Sequence, residues 1–138
     1  MEKKAKITWF GGRQFVGTDS SKHSVVMSSQ DDANGTGMSP LELMLVALGG
    51  CTAMGVVDIL LRKRQDLRGF EINISGDQRE EFPRSYQSVN VQYIVTGRNI
   101  DKKTVADAIK LSLEKYCSVS GTIKSGADII PSFKIVDV

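Results

Sequence analysis

The stretch Ser39 to Arg64, SPLELMLVALGGCTAMGVVDILLRKR, decides the fold. It opens as a helix: Ser39 is the N-cap, Pro40 takes the first helical position and Glu42 stands three residues after the cap. No charge interrupts the 15 residues from Leu43 to Val57, and their apolar side chains leave no polar face. A helix that is apolar all round is either enclosed by protein or sits in a lipid bilayer. Glu42 and Asp58 bracket a run shorter than the about 18 residues a bilayer span requires, so enclosure is the expectation. At its middle lie two glycines and a thiol, Gly49-Gly50-Cys51. Glycine costs roughly 1 kcal/mol against alanine inside a helix, so an adjacent pair implies close backbone approach. The expectation is a long buried central helix with Cys51 at its most crowded point.

Around this helix the remaining sequence supplies strands. Residues 4–10 alternate polar and apolar, Gly11-Gly12 turns the chain, and residues 13–16 close a hairpin. Val25 to Met27 reads as a third strand, and SSQDDANGTGM, residues 28–38, as a polar loop leading into the helix. The basic turn Arg62-Lys63-Arg64 suits the negative end of the helix dipole, with Gly69 beyond it as a stop. Phe70, Ile72 and Ile74 alternate with Glu71, Asn73 and Ser75, and Val89, Val91, Tyr93 and Val95 form a second alternating run. Between them, Arg79, Glu80, Glu81 and Arg84 read as a solvated charged connection with Pro83 in a turn. Asp101 caps a second helix with Val105, Ile109 and Leu113 on one face, running to about Tyr116. Residues 118–127 suggest a short third helix and residues 129–136 a closing strand, with Pro131 placing it near an edge. The order β-β-β-α-β-β-α-β is an α+β pattern, in antiparallel sheets with the helices gathered to one side.

The chain has 138 residues, 41% of them hydrophobic and 25% charged, with a net charge of +2. That length suits one domain, residues 1–138. The near balance of charge gives no reason to expect nucleic acid or a lipid surface as partner. MEKKAKITWFGG lacks the apolar core of a signal peptide, so a cytoplasmic location is expected, where a permanent disulfide is uncommon. One histidine and two cysteines cannot supply a four-ligand structural zinc site without carboxylates, and neither metal nor cofactor is expected.

The chemistry-bearing candidates are Cys51, Cys117, Arg13 and Glu42. Buried cysteines commonly serve as small hydrophobes. Here the glycine pair clears space around Cys51, and Cys117 begins a segment whose helix N-terminus would lower its pKa. Spacing does not say whether the two sulfurs meet. Arg13, on the Gly-Gly turn, is a surface arginine unless it reaches Cys51, where it would favour a thiolate. Glu42 is accounted for by the capping box with Ser39.

GxSPLELMLVALGGC, followed some 65 residues later by EKYCSVSG, closely resembles the OsmC/Ohr family of thiol-dependent hydroperoxide reductases, over essentially the whole chain. The resemblance implies an OsmC-like fold: an intertwined homodimer with the two central helices back to back inside a shared sheet envelope. It implies an antioxidant, stress-response activity in which Cys51 attacks the peroxide, becomes a sulfenic acid and is resolved by Cys117 as a disulfide that a dithiol reductant opens. The substrate would be a small organic hydroperoxide. GGR places Arg13 where an arginine polarises the thiolate in some members. The pattern departs in two places. The family glutamate directly after the proline is here Leu41, with Glu42 one step or about 100° round the helix. The family's second arginine, before the central helix, has no counterpart in SSQDDANGTGM. The alternative is a non-enzymatic dimer of the same fold that uses its thiols for redox sensing or ligand capture.

Overall fold

A computed structural model describes all 138 residues. The elements are β1 (Ala5–Trp9), β2 (Gln14–Asp19), β3 (Ser24–Ser28), α1 (Pro40–Arg62), β4 (Asp66–Gln78), β5 (Tyr86–Arg98), α2 (Lys102–Leu111), a π-helical turn (Ser112–Tyr116), α3 (Ser118–Ile123) and β6 (Asp128–Asp137). This is the α+β order read from the sequence, in two three-stranded sheets and one long helix. Backbone contacts divide the chain into two compact units, Met1–Met44 and Leu45–Val138, and α1 runs unbroken through the division.

In the first unit β1, β2 and β3 form an antiparallel meander, with Trp9 opposite Phe15 and Phe15 opposite Met27. The β1–β2 turn depends on Gly11 and Gly12, whose φ values of 117° and 57° lie where side-chain-bearing residues are rarely found. Ser39 and Glu42 make the expected capping box: the Glu42 amide donates to Ser39 Oγ at 3.3 Å, and Ser39 Oγ donates to Glu42 Oε1 at 3.4 Å.

In the second unit β5 is the middle strand, antiparallel to β4 and parallel to β6. The all-antiparallel expectation is thus corrected in one pairing. After β5 the chain crosses through α2, the π-helical turn and α3 before re-entering the sheet, a return long enough to reverse direction twice. Val89, Val91, Tyr93 and Val95 of β5 are fully or almost fully buried, joined by Val105, Ala108 and Ile109 from α2. Pro131 sits on β6, an edge strand, where its missing N–H costs no ladder bond to a further strand.

Several boundaries move for identifiable reasons. Gly69 does not end α1; it lies inside β4, beside an irregularity in the register between Leu67 and Gly69. The left-handed position after α1 is taken by Arg64, at φ 57°. Arg79 is not simply solvated. Its guanidinium donates to the Tyr86 carbonyl at 2.6 Å, Ser85 Oγ at 3.1 Å and the Gly126 carbonyl at 3.3 Å, tying the β4–β5 connection to the turn before β6.

The central helix differs most from expectation. At 23 residues it is longer than its uncharged stretch, and by length and composition it could cross a bilayer. Only Leu48, Thr52, Val56 and Leu60 are buried within the chain, while Val46, Met54 and Leu61 are 51%, 78% and 57% exposed. Within the chain, a Cβ at Gly49 or Gly50 would meet nothing within 4 Å. The close approach made within the chain is at Gly55, where a Cβ would lie 2.9 Å from Ser112 Oγ.

Candidate thiol-pair site

Cys51 and Cys117 come together in the second unit. Cys51 stands half-buried on α1, and Cys117 is buried at the junction between the π-helical turn and α3. Neither is in a disulfide, and Cys51 is among the neighbours that act on the Cys117 thiol. Cys117 is held from three sides. Its backbone N–H donates to the Ser112 carbonyl at 2.7 Å, the i to i+5 bond that defines the π-helical turn. Its φ of −79° and ψ of 102° break the helix, and its sulfur caps α3 by accepting the Ser120 N–H at 3.3 Å. Ser120 Oγ in turn donates to the Leu113 carbonyl at 2.9 Å.

The acidity expected of Cys117 is reversed. Burial pushes its thiol up to about 11, neighbouring Cys51 adds to the rise, and the Ser120 and Val119 N–H groups offset only part of it. A six-residue helix contributes two amides at the sulfur, from Val119 and Ser120, too little to outweigh desolvation of a thiolate. Cys117 is therefore a neutral thiol at physiological pH.

Directly beside the pair lies a buried polar chain. Thr52 Oγ1 is 2.7 Å from Tyr93 Oη and 2.9 Å from Ser112 Oγ, and Ser112 Oγ donates to the Thr52 carbonyl at 3.2 Å. Each hydroxyl carries a single proton. With the Ser112 proton on the Thr52 carbonyl, Thr52 must donate to Ser112 and Tyr93 to Thr52, so every proton is used. Burial raises the Tyr93 phenol to about 12, with the Thr52 bond opposing and Cys117 reinforcing the rise, which keeps it a donor. All three side chains are fully buried and no buried side-chain N or O lacks a partner. Sequence reasoning assigns no functional role to Thr52, Tyr93 or Ser112, placing Tyr93 only on the buried face of a strand. One signal was available: Thr52 is the only hydroxyl in the uncharged run, and it follows Cys51 directly.

Arg13 and Glu42 belong to the first unit, where each is positioned by local contacts. The Arg13 amide donates to Asn34 Oδ1 at 3.0 Å and its carbonyl accepts the Ser29 N–H at 3.1 Å, so residues 29–34 brace the Gly-Gly turn. A side chain at Gly12 would collide with Asn34. The Arg13 side chain is exposed and enters none of the chain's ion pairs. Glu42 is exposed and engaged in the capping box. No three His, Cys, Asp or Glu side chains gather as a metal would require.

Residues 32–132 match the family described as OsmC-like protein. Protein YhfA of Escherichia coli K12 is 38% identical over 133 residues, covering 96% of this chain and 98% of YhfA. A crystal structure of an Aquifex aeolicus protein superposes with a TM-score of 0.87 at 27% identity, over 98% of this chain and 96% of the other. An organic hydroperoxide resistance protein OsmC from Legionella pneumophila shares the fold at a TM-score of 0.70 and 14% identity, over 100% and 98% of the two chains.

Proposed function

The chain belongs to the family of OsmC-like proteins, and from that premise we propose that it is a thiol-dependent peroxidase reducing organic hydroperoxides, with Cys51 as nucleophile and Cys117 as resolving thiol. The observation that carries the reading is that both thiols are free and that Cys51 is one of the groups acting on the Cys117 thiol, which makes the two cysteines neighbours.

In the proposed cycle the Cys51 thiolate attacks the outer peroxide oxygen. The O–O bond breaks, the alkoxide takes a proton and leaves as the alcohol, and Cys51 becomes a sulfenic acid. The Cys117 sulfur then attacks the Cys51 sulfur, the S–O bond breaks, water departs with the Cys117 proton, and a disulfide forms. An external dithiol reopens it by exchange. Neutral at physiological pH, Cys117 does not compete with Cys51 for the peroxide in the first step, and in the second it attacks as it gives up its proton to the departing water. In this scheme Arg13 polarises the Cys51 thiolate. Glu42, occupied in capping and one step from the family's glutamate position, contributes little beyond holding the helix end.

The same reading takes residues 1–138 as one OsmC-like domain, because α1 is continuous between the two units, and takes a second copy as the partner covering the exposed apolar side chains of α1. It places the protein in the cytoplasm and requires no metal or bound cofactor. Leu41 at the family glutamate position favours a second reading, a redox sensor or ligand-binding dimer with the same thiol pair.

Stoichiometric oxidation of reduced protein with cumene hydroperoxide separates the two. The peroxidase loses two thiols per chain, forms an intrachain disulfide and turns over with dithiothreitol. Cys117→Ser then leaves a sulfenic acid at Cys51 that dimedone captures. Turnover unchanged in Cys51→Ser would overturn the assignment, and a single oxidation without turnover would favour the sensor.

A further inference from the structure

The two sulfurs sit on separate elements, α1 and the junction after the π-helical turn, and something must fix the distance between those elements. The buried hydroxyl chain is so placed. Thr52 is the residue after Cys51, and Ser112 is the residue whose carbonyl accepts the Cys117 amide. Ser112 Oγ bonds Thr52 at both its hydroxyl, 2.9 Å, and its carbonyl, 3.2 Å. Each sulfur is therefore one residue or one backbone hydrogen bond from a doubly bonded crossing. Gly55 makes the crossing possible, because any Cβ there would press on Ser112 Oγ. Tyr93, on the middle strand of the sheet, fixes the direction of the chain by donating to Thr52 at 2.7 Å.

We propose that Thr52 and Ser112 are positioning residues for the thiol pair: their hydroxyl clamp between α1 and the π-helical turn holds Cys51 and Cys117 at the separation from which the disulfide closes. Without the clamp the π-helical turn retains its own backbone bonds but loses its registry against α1. The effective concentration of one sulfur at the other then falls, as it does for any reaction that depends on prior alignment. The proposal deepens the peroxidase reading, in which this disulfide is the resolving step, yet it concerns a property measurable without peroxide.

The test is the equilibrium between the thiol pair and a dithiothreitol buffer, in which two thiols are oxidised as one dithiothreitol disulfide is reduced. Thr52→Val keeps the shape and removes the hydroxyl, while Thr52→Ser keeps the hydroxyl and removes a methyl. Thr52→Val and Ser112→Ala should lower the disulfide equilibrium constant at least about tenfold, with Thr52→Ser within about threefold of the parent, since alignment effects on intramolecular reactions are large. A packing role would reverse the order of Thr52→Val and Thr52→Ser, and that result overturns the proposal. Should Thr52→Val fail to fold, Tyr93→Phe decides instead, because it removes only the donor that orients the clamp. It should lower the constant measurably, and a parental value overturns the proposal. A parent protein that closes its disulfide in this buffer but consumes no hydroperoxide removes the peroxidase reading and leaves the clamp standing. Parental constants in every variant, with hydroperoxide turnover intact, remove the clamp and leave the peroxidase.

Discussion

Cys117 shows how a single residue is decided by competing effects of similar size. A cap position favours its thiolate; burial and a neighbouring sulfur oppose it, and together they hold the group at about 11. The unfolded chain, whose thiol ionises near about 8.5, releases the proton first. Because the folded value is the higher one, this contribution to stability is complete below about pH 8.5 and is lost as pH rises toward 11. The urea midpoint of the reduced parent should therefore fall more between pH 8 and 10.5 than that of Cys117→Ser; equal declines would contradict the shift. Arg13 supplies a second prediction at this scale. A cation that serves the Cys51 thiolate makes it more reactive, so Arg13→Met should slow iodoacetamide alkylation of Cys51 about tenfold near pH 7. The melting temperature should barely change, because the Asn34 and Ser29 bonds to this turn use only the Arg13 backbone. Equal alkylation rates would leave Arg13 a surface residue.

At the scale of elements, the junction of α1 with the π-helical turn matters most. A π-helical turn inserts one residue into helical spacing and is found preferentially at functional sites. Here it swings Cys117 out of the α2 helix line, and Ser112 anchors it to α1. Gly55→Ala tests how tight that contact is. Removing glycine from a helix gains about 1 kcal/mol, but a Cβ 2.9 Å from Ser112 Oγ and 3.4 Å from Ser112 Cβ is overpacked, at a cost of about 1–3 kcal/mol. Net destabilisation in a denaturant titration is the expected result, and a gain in stability would show that the junction has slack.

For the whole molecule, the apolar surface of α1 sets the expectation. Met54, at 78% exposure, and Leu61, at 57%, are unlike the core-facing Leu48, Val56 and Leu60 on the same helix. A second copy covering this face gives a dimer that buries well over about 2,000 Å², in the range of obligate assemblies. Sedimentation at low micromolar concentration should give a dimer, and Met54→Lys should dissociate or unfold it by forcing a charge into that interface. A natively folded monomer of the parent would refute the expectation.

The sequence by itself determined the elements and the pair of thiols. Fifteen uncharged residues behind a capping box specify a helix wherever the chain goes, and period-two alternation specifies β5, because both signals are local. The GGC and EKYCSVSG motifs marked both cysteines for the same reason. The tertiary structure decided everything that depends on distant segments meeting. It made β6 parallel, a choice set by the crossover and invisible in β6 itself. It made Gly55 the point of close approach within the chain, because a glycine's spacing on one helix says nothing of what faces it. It raised the Cys117 thiol that a local reading would have lowered, because desolvation comes from the surrounding chain and the second sulfur. And it assembled Thr52, Tyr93 and Ser112, separated by as many as 60 positions, into one hydrogen-bonded chain that no local pattern encodes.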